Sequence, residues 1–163
     1  MSMSFISYGL LSALAIALVF ASVTDIRHRR IDNWLNAAIA LGAPLFWWSS
    51  GLALWPDAAM QVGVALGAFA ILAVLFALKV MGGGDVKLLT ALALWVRPDQ
   101  FMQLLLIMAI AGGVLTLVMG VWHVMRRQKD RLAIPYGVAI AFGGLWVLAV
   151  HYFPEAAIAA QAA

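Results

Sequence analysis

Long apolar runs separated by short basic clusters are the feature that most restricts the fold of this chain. Of its 163 residues, 66% are apolar and only 10% are charged, whereas a soluble domain needs about 25% charged residues to cover its surface. The apolar runs are continuous rather than alternating, which is typical of membrane-spanning helices. The sequence therefore predicts an all-α, polytopic integral membrane protein, with one membrane-embedded domain over residues 1–163.

The apolar runs predict about six transmembrane helices, of which the fourth is short. Asp85 to Val96 is a stretch of 12 residues, and as a helix it covers about 18 Å of a hydrocarbon core about 30 Å thick. We expect this segment either to start below the membrane surface or to cross a thinned bilayer. The predicted spans are approximately 5–23, 34–54, 58–78, 86–96, 101–124 and 134–150.

The basic residues predict the orientation of the chain. Nine of the ten Lys and Arg residues lie in or next to the loops after the first, third and fifth spans, and only Arg97 lies elsewhere. The positive-inside rule makes these three loops cytoplasmic and places both termini outside. We interpret the net charge of +3 as contacts with anionic lipid head groups, not with nucleic acid. Residues 1–24 carry no Lys or Arg before their apolar run, so we interpret this segment as a retained span and not a signal peptide.

Two aspartates fall on the same face of the predicted bundle. Asp25 follows the first span, and Asp85 precedes the fourth. An acid in apolar surroundings is by default a functional residue. Two neighbouring carboxylates that share one proton can activate a water molecule, because the ionised one accepts its proton while the other hydrogen-bonds the attacked carbonyl. The titration belongs to the pair, so neither role is assigned to one residue.

Each aspartate alone also has a structural interpretation. Gly82–Asp85 is equally typical of a turn with an N-cap aspartate, and Asp25 is typical of a boundary residue beside a basic loop. Their combination on one face favours a site. We expect Gly82, Gly83 and Gly84 to let the backbone leave helical geometry, to act as a hinge and to let a substrate approach closely.

Three stretches resemble, in the same order, the motifs of the type IV prepilin peptidases. Asp25, followed by arginines and by Ile31-Asp32-Asn33-Trp34-Leu35, is similar to the first motif, although that family often has Ile-Pro-Asn where this chain has Ile31-Asp32-Asn33. Gly82 to Leu88 resembles the Gly-x-Gly-Asp motif. Pro135, Tyr136 and Gly137 resemble the Pro-Tyr/Phe-Gly element near the start of the last helix. The short length is similar to the tight-adherence (Tad/Cpa) branch, which serves Flp-type pili.

The resemblance implies a membrane aspartic endopeptidase of the bacterial inner membrane, with Asp25 and Asp85 as its catalytic pair. Such enzymes remove the basic leader from prepilins at the cytoplasmic face, so the implied partner is a prepilin helix with its leader. The resemblance implies no cofactor. Bifunctional relatives also methylate the new N-terminus and have a larger cytoplasmic loop with paired cysteines. Because this chain has no cysteine, neither methyltransferase activity nor a zinc site is expected.

The polar residues near the aspartates allow more than one interpretation. Lys87 either lowers the pKa of the pair, contacts a substrate carbonyl, or extends its ammonium to the interface as an anchor. Asn33 either hydrogen-bonds Asp25 or the substrate, or caps the second span, and Asp32 is a third nearby acid that also suits a cap. The three histidines, His28, His123 and His151, share no metal-ligand spacing.

Two other functions remain open on the sequence. A small ion- or proton-conducting protein would use the aspartates as a relay, with acids near the bilayer midplane and broken helices in matching halves. A non-catalytic subunit of a pilus or secretion assembly would cleave no precursor. The sequence does not determine the oligomeric state.

Overall fold

The protein is a bundle of helices, described here by a computed structural model for residues 4–126 and 134–152. All the regular structure in these residues is helical. The described residues form six α-helices, and a π-helical turn at Leu54–Ala58 directly precedes the third: α1 Phe5–His28, α2 Asn33–Ser49, α3 Ala59–Ala77, α4 Gly83–Ala93, α5 Pro98–Met125 and α6 Tyr136–His151.

Three helical stretches are long and apolar enough to cross a membrane. They are Phe5–His28, Leu54–Ala77 and Pro98–Met125, with mean hydropathies of 2.1 to 2.6, and α6 is a shorter apolar helix. Their outward-facing side chains are large, apolar and exposed, as expected for surfaces that lipid covers. These findings confirm the all-α, polytopic membrane class. The number of crossings and the side of the termini remain predictions.

Helix α4 lies at the centre of the bundle. It contacts α2, α3 and α6, and Leu88, Leu89, Leu92 and Ala93 are at most 1% exposed. At 11 residues it is only about 16 Å long, and the surrounding helices cover it. The prediction of a short fourth helix is therefore confirmed. It begins and ends three residues earlier than predicted, at Gly83 and Ala93, so it includes two of the glycines and Asp85.

The ends of α1 and α2 differ from the predicted spans. Helix α1 continues to His28, where Arg29 turns into the left-handed region with φ of 54°, so Asp25 lies within the helix and not in a loop. Helix α2 ends at Ser49, because Gly51 adopts φ of 67°, a conformation that favours glycine. The predicted second span had continued to Leu54.

One face of α1 is buried at every third or fourth residue. Such spacing places these side chains on a single stripe. The α6 glycine Gly144 lets α1 approach closely, since a Cβ there would lie 2.8 Å from Leu18 Cδ1. The last residue of this stripe, Asp25, contacts the start of α6. The stripe consists of Ser7, Leu11, Leu14, Leu18, Ala21 and Asp25.

Candidate active site

Asp25 lies in the last turn of α1 and points at the first turn of α6. Its side chain is buried, and its Oδ2 accepts a 2.8 Å hydrogen bond from the backbone N–H of Gly137. The N-terminus of a helix favours a negative charge. A Cβ on Gly137 would lie 2.8 Å from Asp25 Oδ2 and 3.0 Å from Asp25 Cγ. Only glycine therefore fits beside this carboxylate without displacing it.

Asp85 lies in the first turn of α4 and is held in a similar way. The N-cap residue is Gly82, three positions earlier, and the backbone of Gly82 hydrogen-bonds the Asp85 carboxylate. A Cβ on Gly82 would lie 3.0 Å from Asp85 Oδ2. Asp85 is thus not the N-cap of its helix. The two carboxylates share one arrangement, in which each accepts from a glycine backbone at a helix N-terminus.

The two carboxylates are close enough to interact electrostatically. Asp85 precedes the apolar part of α4, and it is half-buried. Burial is the main effect that raises the pKa of Asp85 from 3.8 to about 6, the negative charge of Asp25 adds to it, and the Gly82 hydrogen bond opposes it. A carboxyl with such a pKa can hold a proton near neutral pH, which suits a pair that needs one protonated and one ionised member.

The glycines before Asp85 have a packing function that the sequence did not show. A Cβ on Gly83 would lie 3.2 Å from the Phe76 ring, and a Cβ on Gly84 would lie 3.3 Å from Ile31 Cβ. Both residues are helical, so the expectation that they leave helical geometry is wrong for them. Gly82 alone has an extended backbone, with φ of −72° and ψ of 144°.

Lys87 and Asn33 interact with each other and not with the aspartates. The Lys87 ammonium donates a 2.7 Å hydrogen bond to Asn33 Oδ1, which links α4 to α2. Within residues 4–126 and 134–152, no hydrogen bond joins Asn33 to Asp25, and no ion pair joins Lys87 to Asp25 or Asp85. Asp32 occupies the N-cap position of α2 without a capping hydrogen bond, and its carboxylate lies 3.8 Å from Arg30 Nε.

Pro135 and Tyr136 bring Gly137 to Asp25 by fixing the start of α6. Pro135 is the N-cap residue of α6. The Tyr136 ring packs on Gly112 of α5, where a Cβ would lie 3.4 Å from it, and its hydroxyl lies 3.5 Å from Thr116 Oγ1. Of the three motif residues, Gly137 is the one that hydrogen-bonds a carboxylate.

The sequence interpretation missed Asn36. This α2 residue is 4% exposed. Its Nδ2 donates to the carbonyl of Gly84 at 3.4 Å, and its Oδ1 has no hydrogen-bond partner among the described residues. Asn36 also lines a cavity of about 300 Å³ with Asn33, Lys87 and Thr90. Its spacing of three residues from Asn33 in an apolar helix was the available signal, because such spacing puts both amides on one face.

The fold and the site define a helical membrane protein with two interacting aspartates at the N-termini of two helices. The chain belongs to the type IV leader peptidase family, which it matches over residues 12–117. The matched region contains both Asp25 and Asp85.

Curated relatives are similar over much of this chain. A prepilin leader peptidase/N-methyltransferase of Pectobacterium carotovorum subsp. carotovorum is 28% identical over 152 residues, which are 90% of this chain and 52% of the relative. A protein of the same name from Burkholderia pseudomallei (strain K96243) is 32% identical over 115 residues, 64% of this chain and 36% of the relative. The chain spans about half the length of these relatives or less. No solved structure matches it.

Proposed function

We propose that this chain is a membrane aspartic endopeptidase that removes the basic leader from prepilin precursors of the Flp type. The proposal places the reaction at the cytoplasmic face of the bacterial inner membrane. The observation that supports it is the pair of carboxylates. Asp25 accepts a hydrogen bond from Gly137, Asp85 accepts one from Gly82, and the negative charge of Asp25 raises the pKa of Asp85.

The pair supports hydrolysis by an activated water. The ionised carboxylate takes a proton from the water as the water oxygen attacks the scissile carbonyl, and the protonated carboxyl donates a hydrogen bond to the carbonyl oxygen. Collapse of the tetrahedral intermediate breaks the C–N bond, and a carboxyl proton passes to the leaving amine. Gly137 and Gly82 keep the carboxylates oriented, since each carboxylate accepts a hydrogen bond from the backbone at the start of a helix.

A cavity beside the helix that carries Asp85 is proposed to hold an extended peptide. A substrate that unwinds near the membrane must have its backbone polar groups hydrogen-bonded by protein. The cavity beside α4 offers the side chains of Asn33, Asn36, Lys87 and Thr90. On the same end of the bundle, the exposed Arg27, Arg29 and Arg30 are proposed to bind anionic lipid head groups.

The names of the relatives include a second activity, methyl transfer. For these 163 residues we propose the peptidase activity alone, within one domain. This proposal is supported by the site, in which two carboxylates suit hydrolysis. Assignment to the tight-adherence branch is also part of the proposal.

Cleavage by purified protein tests this function. In detergent, the wild type is expected to shorten a Flp-type precursor, and Asp25→Asn and Asp85→Asn are expected to lose at least roughly 10²-fold to 10⁴-fold in rate. Asp32→Asn is the matched control, because Asp32 is a nearby acid that lies beside Arg30. Normal cleavage by either site variant would refute the pair. No cleavage by the folded wild type would favour a non-catalytic subunit, and ion flux in liposomes without cleavage would favour a conducting protein.

A further inference from the structure

A second polar cavity lies at the end of the bundle opposite the carboxylates. Its volume is about 540 Å³, and Leu52, Asp57, Met60, Gln61 and Arg97 are among its lining residues. Asp85 lies in the first turn of α4, whereas Arg97 follows the last. The length of α4 therefore separates this cavity from the candidate active site.

The polar side chains of this cavity have unmatched hydrogen-bonding groups. In residues 4–126 and 134–152, Asp57 makes no ion pair or side-chain hydrogen bond. Gln61 is 5% exposed, and its Oε1 has no hydrogen-bond partner in that part of the chain. Arg97 pairs with Asp99 at 3.4 Å, but both side chains are about two-thirds exposed or more, so the pair is weak. A carboxylate, an amide oxygen and a guanidinium thus line one cavity without pairing with one another.

The protein surface next to the cavity is apolar. Leu54 and Trp55 are 80% and 82% exposed, and Met60, which lines the cavity, is 57% exposed. In a membrane protein such side chains contact lipid acyl chains or lie at the interface. The cavity therefore adjoins an apolar surface and offers both signs of charge, which is the chemistry of a zwitterionic lipid with its head group in the cavity and its chains outside.

We propose that this cavity binds the head group of a phosphoethanolamine lipid. The guanidinium of Arg97 pairs with the phosphate, since Arg matches phosphate geometry. The primary ammonium donates hydrogen bonds to the Asp57 carboxylate and the Gln61 amide oxygen, and the acyl chains lie along Leu54 and Trp55. A choline head group has a cation without N–H donors, and a glycerol head group has no cation. The proposal does not depend on the peptidase function.

Competition between lipids with identical acyl chains tests the proposal. The full chain, purified in detergent and freed of lipid, is mixed with equal amounts of phosphatidylethanolamine, phosphatidylcholine and phosphatidylglycerol, and bound lipid is counted by native mass spectrometry. We expect ethanolamine lipid to be retained roughly tenfold over choline lipid, the effect of losing a charge-assisted hydrogen bond. Equal retention of the two, or preference for the glycerol lipid, would overturn the proposal.

Variants assign the preference to the cavity. Asp57→Asn is expected to abolish the preference for ethanolamine over choline. Asp32→Asn is the matched control, since it makes the same change in an acid that lies beside Arg30 at the opposite end of the bundle, and it is expected to keep the preference. An unchanged preference in folded Asp57→Asn would refute the site. If that variant does not fold, Gln61→Leu is used in its place and is expected to lose the same preference for ethanolamine over choline. The lipid competition with the wild type tests the proposal without either variant.

Discussion

Backbone amides of two glycines hold the two carboxylates of the candidate site. Gly82 is the N-cap of α4, and Gly137 lies in the first turn of α6. At both positions the helix dipole and the hydrogen bond favour the negative charge of the carboxylate. The arrangement makes the site sensitive to a single methyl group, because a Cβ at Gly137 has no room beside Asp25.

Gly137→Ala tests this arrangement. The added Cβ would lie 2.8 Å from Asp25 Oδ2, so the carboxylate must move and lose its hydrogen bond. We expect the kcat of leader removal to fall roughly tenfold to a hundredfold, as misplacement of a reacting group does. Gly113→Ala is the control, because a Cβ there meets nothing within 4 Å. Wild-type kcat in a folded Gly137→Ala protein would show that this contact does not position Asp25.

At the residue scale, the sequence predicted that Asp25 and Asp85 lie on one face of the bundle, and the charge of Asp25 does act on Asp85, but it did not predict the contacts around them. Asp25 and Asp85 stood out because charge is costly in apolar surroundings. The Lys87–Asn33 and Asn36–Gly84 hydrogen bonds were not predictable, because they join residues about fifty positions apart and depend on how α2 packs on α4.

At the scale of helices, α1, α4 and α6 form the support for both aspartates. Leu18 of α1 is fully buried, and its side chain and that of Leu92 in α4 both approach Gly144 of α6. Close packing around a glycine lets the three backbones approach. This contact lies between the helices that carry Asp25, Asp85 and Gly137, and it therefore fixes their relative positions.

Leu18→Ala tests the importance of this contact. Removing a buried leucine side chain leaves a cavity, and we expect the free energy of unfolding to fall by roughly 2–5 kcal/mol. Ile16→Ala is the control, because Ile16 is 71% exposed and is replaced on the lipid-facing surface. Thermal unfolding in detergent measures both. An equal loss for the two variants would show that the three helices do not depend on Leu18.

The order and type of the helices were predictable from apolar runs, whereas their ends were not. Helix α2 ends early because Gly51 adopts a left-handed conformation. The sequence contains 14 glycines and does not indicate which of them has a positive φ. Helix α1 extends past its apolar run to His28, and its last turn contacts the start of α6, where Gly137, 112 residues away, hydrogen-bonds Asp25. Tertiary contacts of this kind override a boundary inferred from hydropathy.

At the scale of the whole molecule, charge predicts the orientation in the membrane. The absence of cysteine from the sequence allows single-cysteine variants to be labelled without background. We expect His28→Cys, at the end of α1, to react with an impermeant maleimide only in inverted membrane vesicles. Asp99→Cys, at the start of α5, is expected to react only from the outside of intact spheroplasts. The reverse pattern would contradict the positive-inside assignment.

An infrared titration of Asp85 tests whether the charge of Asp25 acts on the Asp85 carboxyl. The protonated carboxyl band is assigned by its loss in Asp85→Asn. In the wild type we expect a pKa of about 6 for Asp85. Asp25→Asn removes the negative charge that disfavours ionisation, so the pKa of Asp85 should fall, while burial keeps it above 3.8. Asp32→Asn should leave it unchanged. An identical pKa of Asp85 in the wild type and in Asp25→Asn would contradict the pairing of the two carboxylates.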